Sequence, residues 1–270
     1  AAGSGVRLWH RRLSPAVWLQ VSRSALVAWQ DRLLVADGAA LLVLDQATGT
    51  ELSRIETGCG EIKWLAATDE HIALLAGPQF NRYPERMRRV NENVVPFRSA
   101  GQVLRILDEA ELKTVWEQER EGDVDAFDPS TAAIANGRLF VCTVSGEAEA
   151  YRMTDGKLQW STDTGLKRRS KLGDYEWDVQ SRHPVSGYAP SQIYVISGVA
   201  FNEDVVLSQA DGKELWRADK RRNTPLFYKD LLWFGGEVVD PATGQQERRE
   251  SLNLGGCGHF TAAPQGIVGQ

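Results

Sequence analysis

The chain has 270 residues, 42% of them hydrophobic and 25% charged, with a net charge of −5; this balance excludes a fibrous or disordered chain and argues against a general nucleic-acid binder. No apolar run reaches the roughly 20 residues of a membrane-spanning helix, and the opening AAGSGVRLWHRR lacks the layout of a signal peptide, so any export signal is expected to have been removed or to lie outside this sequence. Cys59, Cys142 and Cys257 form neither a disulfide framework nor a close-spaced metal pattern, and leave the redox compartment open.

Taken in order, the elements repeat. VRLWHRR reads as the last strand of an earlier unit. RLLVADG, ALLVLDQATG and TELSRIE follow as strands of a first full unit, about 22–57, punctuated by Asp37-Gly38 and Thr48-Gly49. A second unit, about 60–120, holds HIALLAG, a long interruption at 78–101, QVLRILD and LKTVWEQ. The third, about 125–164, contains RLFVCTVSG, AEAYRMTDG and KLQWSTDTG. The fourth, about 178–219, contains QIYVISG, DVVLSQADG and KELWRAD, and the fifth, about 223–252, contains LLWFGG, EVVDPATG and QQERRES. HFTAAPQGIVG opens a later unit, so partial units stand at 1–21 and 253–270.

Each unit predicts four antiparallel strands turned by Asp-Gly or Thr-Gly corners, where glycine accepts positive φ without penalty. A small four-stranded sheet cannot bury both faces alone; stacking such sheets radially as blades hides the apolar faces. The expected fold is therefore an all-β propeller, a single domain over 1–270, with five full blades and flanking partial ones, either as such or as a fragment of a seven- or eight-bladed disc. Trp9, Trp116, Trp160 and Trp216 recur at one place in the fourth strand, where an indole can seal a blade against its neighbour.

The pattern shared by TDGKLQW and ADGKELW, with looser echoes in DQATGTEL and DPATGQQE, resembles the PQQ-like propeller repeat of quinoprotein alcohol dehydrogenases and BamB-like outer-membrane assembly proteins. It is clearest in units three and four and weakest in unit two, where LDEAELKTVW has lost the glycine. The resemblance implies an exported or periplasmic bacterial protein and sets two functions against each other. One is a non-catalytic binding or scaffold module, which needs no cofactor or metal. The alternative is a degenerate or truncated quinoprotein oxidoreductase using PQQ with calcium. Residues favour the first, because no adjacent cysteines occur and DVDAFDPSTAA lacks the glycine and closing glutamate of a calcium loop. Nucleophile-elbow, zinc-protease and phosphate-loop motifs are also missing.

Equivalent positions in successive blades fall on one rim of a disc. The connection from a blade's fourth strand to the next blade's first shares an upper face with the loop between strands two and three. Three basic segments are assigned there: Arg82, Arg86, Arg88 and Arg89 in the long interruption; Lys167, Arg168 and Arg169 after unit three; and Lys220, Arg221 and Arg222 after unit four. One charge run is ordinarily a solvated surface; three on one face of an acidic protein make a patch suited to a carboxylate-rich protein, an anionic glycan or another anionic polymer. Trp177 adds an aromatic face beside it. His183 and His259 enter first strands near the central channel, in register with Asp128, and join the binding set; scattered over several blades, they are read as loop-bonding residues and not as metal ligands. The partners expected are protein or anionic polymer, with no nucleic acid and no membrane span, within a larger multidomain chain.

Overall fold

Apolar residues dominate the middle strands of each repeat and alternate with polar ones in the outermost strand, and the structure follows that division. The computed structural model describes residues 7–13, 26–77, 102–120, 127–143, 147–164, 193–196, 199–202, 205–217, 226–234, 237–249, 260–263 and 266–269. Within them the protein is all-β, with no helix, and so no helix there is long and apolar enough to cross a membrane.

The first sheet comprises β1 (Leu26–Trp29), β2 (Arg32–Asp37), β3 (Ala40–Asp45) and β4 (Glu51–Glu56). The second comprises β5 (Glu61–Ala67), β6 (His71–Gly77), β7 (Gln102–Asp108) and β8 (Thr114–Arg120), and the third β9 (Phe127–Ala135), β10 (Arg138–Thr143), β11 (Glu147–Arg152) and β12 (Leu158–Asp163). The fourth holds β13 (Ile193–Ile196), β14 (Val199–Asn202), β15 (Val205–Ser208) and β16 (Glu214–Arg217), and the fifth β17 (Leu226–Tyr228), β18 (Leu231–Phe234), β19 (Glu237–Val239) and β20 (Gln246–Arg249). A two-stranded sheet, β21 (Phe260–Ala263) and β22 (Gly266–Gly269), follows. Strands pair with their sequence neighbours, antiparallel throughout, and the inner strands β1, β5, β9 and β13 lie beside one another in turn. This is the expected propeller of four-stranded blades.

Burial explains the sequence pattern. Leu41, Leu42, Val43 and Leu44 of β3 are all buried, because both faces of that strand meet other side chains. In β4 and β8 exposed and half-buried residues alternate. Three apolar clusters fill the seams between sheets. Trp29, Leu34, Leu41, Ile62, Leu65 and Ile72 belong to the first seam; Trp64, Leu104, Phe127, Leu139 and Tyr151 to the second; Phe140, Trp160, Val205 and Leu207 to the third.

The repeated corner is a device for joining blades. At Asp45–Gly49 the Gly49 amide donates to the Asp45 carbonyl at 2.8 Å, and the Asp45 carboxylate accepts from the Thr48 amide and hydroxyl, both at 2.7 Å. The same backbone bond recurs at Gly156, Gly212 and Gly244. On each corner glycine lies a tryptophan from the preceding outer segment: Trp9 on Gly49, Trp116 on Gly156, Trp160 on Gly212 and Trp216 on Gly244. A Cβ at these positions would stand 2.5–2.7 Å from the indole. Each indole N–H donates to the carbonyl three residues before its glycine, to Gln46, Met153, Gln209 and Pro241, at 2.6–3.0 Å.

The first seam departs from this rule on both sides at once. Ser53 occupies the tryptophan position of β4, and the facing corner of the second sheet carries Leu112, at φ 57°, in place of glycine. Without an indole to clear, Leu112 packs its side chain into the first-seam cluster, while Trp29 of β1 donates to the Thr68 carbonyl across the same seam at 3.0 Å.

Candidate functional site

None of the side chains expected to recognise a ligand falls within the described residues: Arg82, Arg86, Arg88, Arg89, Lys167, Arg168, Arg169, Trp177, His183, Lys220, Arg221, Arg222 and His259 all lie outside them. What is described is the set of strand ends between which those segments run. Gly77 and Gln102 bracket the 78–101 insertion, Thr164 and Ile193 bracket 165–192, and Arg217 and Leu226 bracket 218–225. In consecutively antiparallel sheets these are all ends of one kind, second-to-third or outer-to-inner, and belong to the upper face.

Polar side chains knit that end of the seams together. Arg105 on β7 donates to the Thr57 carbonyl of the first sheet at 2.8 Å while gripping Glu117 at 2.9 Å. Arg217 on β16 likewise donates to the Thr164 carbonyl of the third sheet at 2.8 Å. Between the second and third sheets the polarity is reversed. Counted from the corner residue, Arg120 stands where Thr57 and Thr164 stand in their units, and Glu149 stands where Arg105 stands in its own. The cation is thus on the earlier blade and reaches the anion on the later one.

The resulting cluster is a largely buried ion pair. Arg120 Nη2 lies 2.8 Å from Glu149 Oε2, 3.0 Å from Oε1 and 2.7 Å from the Tyr151 hydroxyl. That hydroxyl itself donates to Glu149. Glu149 has only 5% of its side chain exposed and Arg120 22%. The guanidinium lies over the Phe127 ring, 4.9 Å from its centroid, and Phe127 meets Tyr151 edge to face, an arrangement that favours a cation. Burial pushes the Tyr151 hydroxyl well above the ordinary phenol range, and its bond to Glu149 adds to the shift. Burial alone would lower the Arg120 pKa, but the facing Tyr151 and Glu149 hold it above the usual value.

Beside this pair sits Gln102, the cross-strand partner of Arg120 in the β7–β8 ladder. Its side chain points to the same seam as Leu104 and Ile106, and Gly77 lets it lie across the end of β6, since a Cβ there would stand 3.1 Å from Gln102 Cγ. Gln102 is 1% exposed, and neither Nε2 nor Oε1 has a partner; the Arg120 Nε is buried and unpartnered as well. Sequence reasoning missed Gln102, Arg120, Phe127, Glu149 and Tyr151. The available signal was an arginine at 120 where units one and three place Thr-Gly, and a glutamate inside the otherwise apolar run of β11.

Among the described residues no three His, Cys, Asp or Glu side chains converge on one point. Cys59, half-buried in the β4–β5 turn, and buried Cys142 form no disulfide.

Against known proteins, the family model described as outer membrane protein assembly factor BamB, a PQQ-like repeat model, matches residues 1–200. No curated protein matches the chain. Among solved structures, the computationally designed Ika8 protein superposes with a TM-score of 0.58 at 14% identity, over 93% of this chain and 68% of its own. BamB from Moraxella catarrhalis superposes with a TM-score of 0.52 at 13% identity, over 91% of this chain and 65% of its own. The chain thus spans about two thirds of the length of each, and at such identities the likeness is one of fold. With five consecutive four-stranded blades and a model match over most of its length, the chain belongs to the BamB-like family of PQQ-repeat β-propellers.

Proposed function

We propose that the protein is a binding module whose upper face holds a protein partner, with no chemistry of its own, in an exported compartment. The observation that carries this reading is the common placement of the strand ends at Gly77/Gln102, Thr164/Ile193 and Arg217/Leu226, because the three arginine-rich segments of an acidic protein run between them. Concentrating positive charge on one face of a body with net charge −5 steers an acidic partner to that face. Family membership supports a protein partner and an export route, since the matching model is described by a role in outer-membrane protein assembly. An anionic polymer would use the same charge.

The test is substitution of Arg168, Arg169, Arg221 and Arg222 by serine. Exposed charges contribute little to folding, so the melting temperature is expected to stay within about 2 °C. Elution from an anionic resin should move to clearly lower salt. Equal retention of parent and variant would reject the shared basic face.

A further inference from the structure

We infer that the upper end of the second seam is a pocket for a primary carboxamide, the side chain of an asparagine or glutamine presented by the partner. This rests on the upper-face reading and names the chemistry recognised there. Three buried polar atoms lie without partners at one place: Gln102 Nε2, Gln102 Oε1 and Arg120 Nε. Gln102 and Arg120 are directly paired across β7 and β8, so their Cβ atoms stand about 5 Å apart on one face. Burying polar atoms unpaired is unfavourable, and an apolar residue at 102 would avoid that cost. A glutamine at this position is therefore placed to meet something.

The unpaired set consists of two kinds of donor and one acceptor. A carboxylate accepts from Gln102 Nε2 and Arg120 Nε, yet sets its second oxygen against Gln102 Oε1, and it approaches Glu149, which already neutralises the guanidinium. A single water or hydroxyl cannot span both ends of the Gln102 amide with straight bonds. A trans peptide group carries its N–H and C=O on opposite sides, so it also engages only one end. A primary carboxamide carries donor and acceptor on the same side. It closes a two-bond ring with Gln102, and the second lone pair of its oxygen accepts from Arg120 Nε. Arg120, whose side chain keeps 22% exposure, is the part of the cluster that reaches the surface, with its guanidinium over Phe127.

The experiment uses the full chain labelled with ¹⁵N and four isosteric probes: propionamide, propionate, N-methylpropionamide and propanol. Propionamide is expected to shift the Gln102 side-chain amide and the Arg120 Nε–H resonances in a saturable manner, and the other three to leave them in place. Equal response to propionate, or no response to any probe, overturns the assignment. An independent arm is Gln102→Met, which keeps the volume and removes the unpaired atoms. Its melting temperature should rise by about 3 °C, with the propionamide response lost. A fall would mean that a structural water already satisfies Gln102, which also overturns it. The basic-face proposal is read on the resin with Gln102 intact, so the two can fail separately.

Discussion

Arg120 and Glu149 show how one position can be reused with its charge reversed. Thr57 and Thr164 offer a carbonyl to an arginine of the next blade; Arg120, at the same position, brings its own cation and finds an acid opposite. Since the Glu149 side chain is almost wholly removed from water while Arg120 is partly exposed, removing the arginine should be the costlier change, because it strands the buried carboxylate. Arg120→Met is expected to destabilise by about 3 kcal/mol by leaving the Glu149 carboxylate buried with only the Tyr151 hydroxyl as a partner. The double variant Arg120→Met/Glu149→Leu should recover at least half of that, because a buried ion pair gains little over well-packed apolar groups. Chemical denaturation of the four members of the cycle measures both; additive losses would show that the two side chains do not act as a pair. This cluster was not legible in the sequence, because an ion pair between residues 29 positions apart exists only once the seam sets the register.

At the level of the blade, the corner and the indole form one unit shared by two sheets. Gly212 sits at φ 73°, and a methyl group on its Cα would fall only 2.5 Å from Trp160 Cε3, which leaves no room for any side chain. Gly212→Ala is expected to cost about 3 kcal/mol, combining left-handed strain with displacement of the indole. The Ser53–Leu112 seam offers the reverse test. Ser53→Trp alone should destabilise by driving an indole against Leu112, and Leu112→Gly added to it should restore a lock of the kind seen at Gly156, with a coupling of at least about 1 kcal/mol. Additivity by thermal or urea unfolding would refute the paired loss. Much of this was legible: the T/D-G corner and the tryptophan four residues later recur in plain sight, and they specify strand, turn and blade together. What sequence could not show is that Leu112 and Ser53 are two halves of a single exception, since nothing local links them.

For the whole molecule, the division between a regular disc and irregular connections decides what sequence can tell. The disc was readable because its apolar strands recur in five four-stranded sheets and its glycine corner in four of them. The basic residues proposed for the upper face sit in the connections, which obey no repeat, and they lie outside the described part of the chain. The proposed binding module carries its own expectation. After incubation with PQQ and calcium followed by desalting, the absorbance spectrum should show no retained quinone and no dye-linked alcohol oxidation; a stoichiometric chromophore would reinstate the oxidoreductase reading.

The indole-on-glycine joint also bears on how such proteins can be rebuilt. Because each joint takes its tryptophan from one sheet and its bare corner from the next, the module that can be swapped intact begins at a corner and ends past the following one, cutting through sheets and sparing the boundaries between them. A chimera spliced at visible blade borders would divide every joint it crossed, whereas one spliced within sheets would inherit each joint whole.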